Sequence, residues 1–171
     1  MARLSGRQLS LVPGSDLTAA LLADPRIAGR RVAVVGGRPG LVETLQRQVP
    51  TAAFVQHRPP MDVLHHPGAM ADIETFVTGA RADLVIFAIG APQSEIAAQR
   101  CLQAGRSRGV ALAAGASLEF LVGDKARAPQ WVQRAGLEWA YRLGTEPRRL
   151  WRRYLLEGPR VFAIWARSRH A

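Results

Sequence analysis

Arg31-Val32-Ala33-Val34-Val35-Gly36-Gly37-Arg38-Pro39-Gly40 is the stretch that decides the fold. Its first half is a continuous β-branched apolar run, which predicts a strand buried on both faces of a parallel sheet. Its second half is a glycine-rich turn, and Leu41 to Val49 beyond it predicts a helix. The order strand, turn, helix then repeats. Ala52-Ala53-Phe54-Val55 is a weaker strand, followed by a loop holding His57, Pro59, Pro60, His65, His66 and Pro67, and residues 69–80 predict a helix. Asp83-Leu84-Val85-Ile86-Phe87-Ala88-Ile89 is the strongest strand; it ends in Gly90-Ala91-Pro92-Gln93-Ser94-Glu95, and a helix follows to about Leu102. Gly109-Val110-Ala111-Leu112-Ala113-Ala114 is a fourth strand, ending at Gly115-Ala116-Ser117. Upstream, Ser15 or Asp16 is placed to cap a helix over Leu17 to Ala23, which Pro25 ends. Alternation of this kind predicts an α/β fold, a Rossmann-like parallel sheet with helices on both faces. Ligands of such sheets lie beyond the C-terminal strand ends. The turns 36–40, 90–95 and 115–117 should therefore meet at one crevice.

The 171 residues suit one domain with a short appendage. Hydrophobic residues make up 48% and charged residues 21%, enough apolar mass for a sizeable core. No run approaches the roughly 20 apolar residues of a membrane span, and the N-terminus lacks the apolar core of a secretory signal. One cysteine, Cys101, excludes a disulfide framework and points to a cytoplasmic protein. The net charge is +10, and it is unevenly placed. Residues 1–120 carry 12 basic and 9 acidic side chains, residues 121–171 carry 11 and 4. The excess at the C-terminal end predicts an anionic partner.

From residue 121 onward the pattern changes. Gln130 to Leu143 predicts a helix carrying Trp131, Leu137, Trp139 and Tyr141, with Gly144 at its end. Glu146-Pro147 opens another helix, in which Arg148, Arg149, Arg152 and Arg153 span an arc of about 140° at 100° per residue. Leu150, Trp151, Tyr154 and Leu155 fill the opposite arc. A helix so divided suits an anionic membrane interface, with Trp151 and Tyr154 at headgroup depth. Val161-Phe162-Ala163-Ile164-Trp165, then Arg167 and Arg169, continue the mixture. It would also suit a nucleic-acid groove, although no nucleic-acid motif accompanies it.

Chemistry is less sharply signalled. The 36–40 turn could offer backbone N–H groups to a phosphate, or be glycine-rich only because the turn is tight; it matches neither the dinucleotide pattern nor the P-loop. Glu95 opens a helix beside the crevice, where it could bind sugar hydroxyls or act as a base. An acid in a first helical turn is also favourable without any function. His57, His65, His66 and Asp62 lack metal-ligand spacing and fit a solvated loop. Glu119 and Asp124 could bind a divalent ion alongside a diphosphate, but nothing in the pattern requires one.

The motifs in order carry a resemblance: Gly14-Ser15-Asp16-Leu17, Gly36-Gly37-x-Pro39-Gly40, Gly90-x-Pro92-x-Ser94-Glu95, Gly115-Ala116, Arg127-Ala128-Pro129-x-Trp131, Gly136-Leu137-Glu138-Trp139-x-Tyr141-Arg142-Leu143, Glu146-Pro147-x-Arg149 and Arg153-Tyr154. Over about residues 12 to 160 the chain resembles the WecG/TagA/CpsF glycosyltransferases (glycosyltransferase family 26). The resemblance implies an inverting transfer of a sugar, of N-acetylmannosamine or glucose type, from a UDP-sugar to a polyprenyl-diphosphate-linked acceptor in cell-surface polysaccharide assembly, such as teichoic acid or exopolysaccharide. It implies no metal or other cofactor, and a peripheral position at the inner face of the cell membrane. Residues 1–143 would be the nucleotide-sugar-binding domain and 144–171 a basic amphipathic appendage. Gly36, Gly37, Gly40, Gly90, Pro92, Ser94, Glu95, Gly115 and Arg127 would hold the donor. Arg148, Arg149, Arg152, Arg153 and Trp151 would meet the acceptor diphosphate and lipid headgroups.

Two departures from the family pattern matter. Family members usually carry a longer N-terminal segment before Gly-Ser-Asp-Leu whose aspartate is the proposed catalytic base, and the resemblance implies that the sequence as given starts too late to contain it. Glu95 is the weaker substitute, so the isolated chain is expected to show no turnover and to act with a partner chain or as a homo-oligomer. The family's Gly-x-Pro-x-Gln-Glu also reads Ser94 in place of glutamine. The alternatives are a non-catalytic remnant that binds UDP-sugar and docks on membranes, or a basic nucleic-acid-binding module.

Overall fold

The computed structural model describes residues 12–124, 128–129, 131–132, 136–145 and 147–151, with the backbone alone at 138, 142, 149 and 150. They fall into two compact units, Val12–Lys125 and a second that takes in the described residues from Ala128 onward. The first unit runs α1 (Gly14–Ala23), β1 (Arg31–Gly36), α2 (Leu41–Gln48), β2 (Ala53–His57), α3 (Ala69–Ala80), β3 (Leu84–Ala88), α4 (Gln93–Gln103), β4 (Val110–Ala113) and α5 (Ser117–Leu121). Short 3₁₀ turns at Pro25–Ile27 and Val63–His65 join them.

Among the described residues the strands form one parallel sheet in the order β2-β1-β3-β4. β1 lies inside, with Val32 opposite Phe54 on one side and Leu84 on the other. Its apolar run is continuous because helices cover both faces. Ala33 and Val35 pack with Val85 and Phe87 against Ile73, Val77, Ala97 and Cys101 of α3 and α4. Val32 and Val34 pack with Ile86 against Leu41 and Leu45 of α2, Leu22 of α1 and Leu118 of α5. The expected Rossmann-like α/β architecture is the observed one.

Some details differ from the sequence expectation. α1 begins at Gly14, so Ser15 and Asp16 lie inside its first turn and Pro13 stands at the cap without a side-chain hydrogen bond. β2 extends to His57, which therefore ends a strand and does not belong to the following loop. α5 was not anticipated; five residues are too few to show a helical period.

The second unit contains α6 (Glu138–Thr145) and α7 (Pro147–Trp151). The single helix expected over 130–143 is interrupted at Gly136, whose φ is 71°. α6 also runs through Gly144, so that glycine does not end it. Pro147 opens α7 as expected. The two-faced pattern continues through Arg152, Arg153, Tyr154 and Leu155, and these residues, with 161–165, Arg167 and Arg169, lie outside the described residues.

Candidate functional site

A parallel sheet puts every strand's C-terminal end at one edge. Gly36 pairs with Ala88 and Phe87 with Ala113, so β1, β3 and β4 finish side by side. The turns after them bring Gly36, Gly37 and Gly40, then Gly90, Pro92, Ser94 and Glu95, then Gly115, to that edge.

The glycines have different reasons to be glycine. Gly36 has φ 98°, and a Cβ there would stand 2.8 Å from the Ala88 carbonyl oxygen and from Cγ2 of Ile89. A Cβ on Gly37 would overlap the Leu41 side chain. These two residues let the β1–α2 turn pack onto β3 and α2. Around Gly90 and Gly115 no described residue comes within 4 Å of where a Cβ would stand.

Gln56 fixes the β1–α2 turn by donating through Nε2 to the Gly36 carbonyl at 2.8 Å and the Arg38 carbonyl at 3.2 Å. Arg38, the only basic residue in the three glycine turns, is bound by Asp124. Its Nη2 donates to Asp124 Oδ1 at 2.9 Å, its Nε donates to Oδ2, and its Nη1 donates to the Pro39 carbonyl at 2.9 Å. The hydrogen bond from Arg38 holds the Asp124 carboxyl below its ordinary range, and the same bond raises Arg38 above its own. Asp124 was considered as a metal ligand on sequence; the structure gives its two oxygens to an arginine. Among the described residues no group of three or more His, Cys, Asp or Glu side chains is placed to hold a metal ion.

At the second turn the Ala91–Pro92 peptide bond is cis. Ser94 is buried, its N–H donating to the Gly90 carbonyl at 2.8 Å and its hydroxyl to the Phe87 carbonyl at 3.4 Å. The small side chain therefore ties the start of α4 to the end of β3. Glu95, one residue on, is exposed in the first turn of α4. Gln93 accepts a hydrogen bond from the Val63 N–H at 3.2 Å, which joins the β2–α3 connection to the same turn. His57 stacks on Phe76 at 5.3 Å between ring centroids, and its buried Nε2 has no hydrogen-bond partner among the described residues. His65 meets Asp62 in an exposed pair at 2.9 Å.

At the third turn Gly115 precedes α5, where the Ser117 hydroxyl donates to the Ala114 carbonyl at 2.6 Å. Arg127 lies outside the described residues, as do Arg152 and Arg153. Arg149 is described by its backbone alone, on α7. Arg148 and Trp151 are exposed on α7, and Trp131, Leu137 and Trp139 are exposed elsewhere in the second unit. The Arg38–Asp124 pair, Gln56 and Gln93 were not singled out as site residues on sequence. A lone charge inside Gly-Gly-x-Pro-Gly was the one signal available for Arg38.

A parallel α/β sheet with glycine turns gathered at its C-terminal edge belongs to the class that binds ligands at that edge. The model of the Glycosyl transferase WecG/TagA/CpsF family matches residues 1–171. The chain belongs to this family, and the match extends beyond the 12–160 segment that carries its motifs. Membership supports a glycosyltransferase role in polysaccharide biosynthesis, with a sugar donor and an acceptor as substrates.

Proposed function

We propose that the chain binds a UDP-sugar at the C-terminal edge of the sheet and serves inverting transfer of the sugar to a polyprenyl-diphosphate-linked acceptor at the inner face of the membrane. The observation that carries this reading is the convergence of the 36–40, 90–95 and 115–117 turns on adjacent ends of β1, β3 and β4. Among the described residues none fills the space beside Gly90 and Gly115, which leaves room for a ligand against the backbone. Glu95 is exposed beside that space and would accept hydrogen bonds from donor hydroxyls. Inverting transfer also needs a base for the acceptor hydroxyl and stabilisation of departing UDP. Arginine supplies the second; for the first, Glu95 is the weak candidate. In the second unit, arginine beside exposed tryptophan suits an anionic headgroup region. Among the described residues no helix is long and apolar enough to cross a membrane, which agrees with peripheral attachment.

The test is a thermal-shift titration with UDP and UDP-hexoses, with ADP as control. A ligand that binds only the folded state raises stability by RT ln(1 + [L]/Kd). UDP at 100 times Kd should add about 2.7 kcal/mol, and ADP should add much less. Equal shifts from both nucleotides, or none in folded protein, would remove the donor-site reading.

A further inference from the structure

The geometry points to Asp124 as an internal competitor for the donor: its carboxylate occupies the guanidinium fork of Arg38, and the diphosphate of a nucleotide sugar displaces it on binding. This inference rests on the donor-site reading and adds to it one anchoring residue and one residue that opposes binding.

Three observations support it. The first is position. Arg38 sits in the turn between β1 and α2, at the C-terminal sheet edge, and is the only basic residue in the three turns there. Gly40 leaves the space beneath it clear, since a Cβ there would stand 3.3 Å from Arg38 Nη1.

The second is shape. Asp124 takes Nε and Nη2 of Arg38 together, a two-point arrangement that two phosphate oxygens reproduce. Nη1 stays on the Pro39 carbonyl, so the fork remains aimed when the carboxylate leaves.

The third is strength. Both partners are partly exposed to water, 42% for the Arg38 side chain and 28% for Asp124. Pairs this exposed shift an equilibrium by at most about fivefold. A diphosphate brings more charge than one carboxylate, so displacement is favourable. Glu43 and Glu119 also bear on the Arg38 charge. They oppose any anion without competing for the fork.

The experiment is a double-variant cycle on the full chain, with Kd for UDP and for inorganic pyrophosphate read by titration calorimetry. Asp124→Asn should tighten both ligands about three- to fivefold. Arg38→Gln should weaken them on the order of tenfold or more. Arg38→Lys keeps the charge and loses the fork, and should fall between wild type and Arg38→Gln. With Gln at 38, adding Asp124→Asn should change nothing. An equal gain from Asp124→Asn in both backgrounds would mean a general charge effect and would overturn the competition. Loss of affinity in Asp124→Asn would overturn it too, making the pair a support for the turn. If wild type binds UDP and the Asp124 variant is unchanged, only this inference falls. If neither ligand binds wild type or Asp124→Asn, the donor-site reading falls with it.

Discussion

Asp83 shows how one side chain sets the start of the sheet. It precedes β3 and accepts from the Arg31 N–H at 2.9 Å and from Arg30 Nη1 at 3.2 Å, where β1 begins. The backbone hydrogen bond from Arg31 holds its carboxyl below the ordinary value, against some desolvation. Asp24 is held lower still, at about 2, first by the side-chain hydrogen bond from Arg26. A carboxyl depressed in the folded state adds stability above its unfolded pKa, near 3.9. That stability is lost as pH falls through the folded value. The melting temperature should therefore decline as pH drops from about 4 towards 2. Asp83→Asn should lower it at neutral pH and make the acid decline shallower. An unchanged acid slope in this variant, followed by circular dichroism, would mean that Asp83 carries none of it.

The turns are where element and site coincide, and they separate packing from openness. Gly36→Ala meets a backbone carbonyl of β3 that cannot yield without moving the strand, at a φ that L-residues rarely adopt. The expected loss is about 2 kcal/mol or more in denaturant unfolding. Gly90→Ala has the φ penalty alone, about 1–2 kcal/mol, because no described residue lies within 4 Å of the added Cβ. Equal costs for the two would contradict the close approach of the β1–α2 turn to β3. The same contrast bears on what could be read beforehand. β1, β3 and α3 were legible because long apolar or periodic runs carry their own signal, and α3 matched at both ends. The convergence of the turns followed from parallel topology alone. The partner of Arg38 was not legible, since Asp124 lies 86 positions away and only the folded chain brings it near. Nor was the burial of Ser94: serine at a helix start reads as polar surface, whereas here its hydroxyl turns back onto Phe87. The break at Gly136 was masked by the Trp, Leu and Tyr spacing on either side of it.

Over the whole molecule the charge is the feature that asks for a partner. A net +10, concentrated after residue 120, comes with Trp131, Trp139 and Trp151 exposed in the second unit. Each basic residue near an anionic bilayer surface contributes about 1 kcal/mol. Replacing Arg148 and Arg149 together by glutamine should weaken binding to vesicles rich in anionic lipid by about 2 kcal/mol, and Trp151→Ala should weaken it further. Raised salt should weaken wild type more than the double variant. Cosedimentation measures all three, with neutral vesicles as the control. Equal binding to neutral and anionic vesicles would take the anionic headgroups out of the proposal, and binding to neither would take out the membrane.

The strand order has a further consequence for how the chain is made. β1 emerges from the ribosome before β3, and it is completed only when Leu84–Ala88 arrives, since Val32 must find Leu84 as well as Phe54. Until then one backbone edge of β1 is unpaired, and a two-stranded parallel pair has little stability of its own. The nascent chain therefore passes through an aggregation-exposed interval while α3 and β3 are being synthesised. Slow translation there would prolong that interval, and a chaperone that shields Arg31–Gly36 would shorten it.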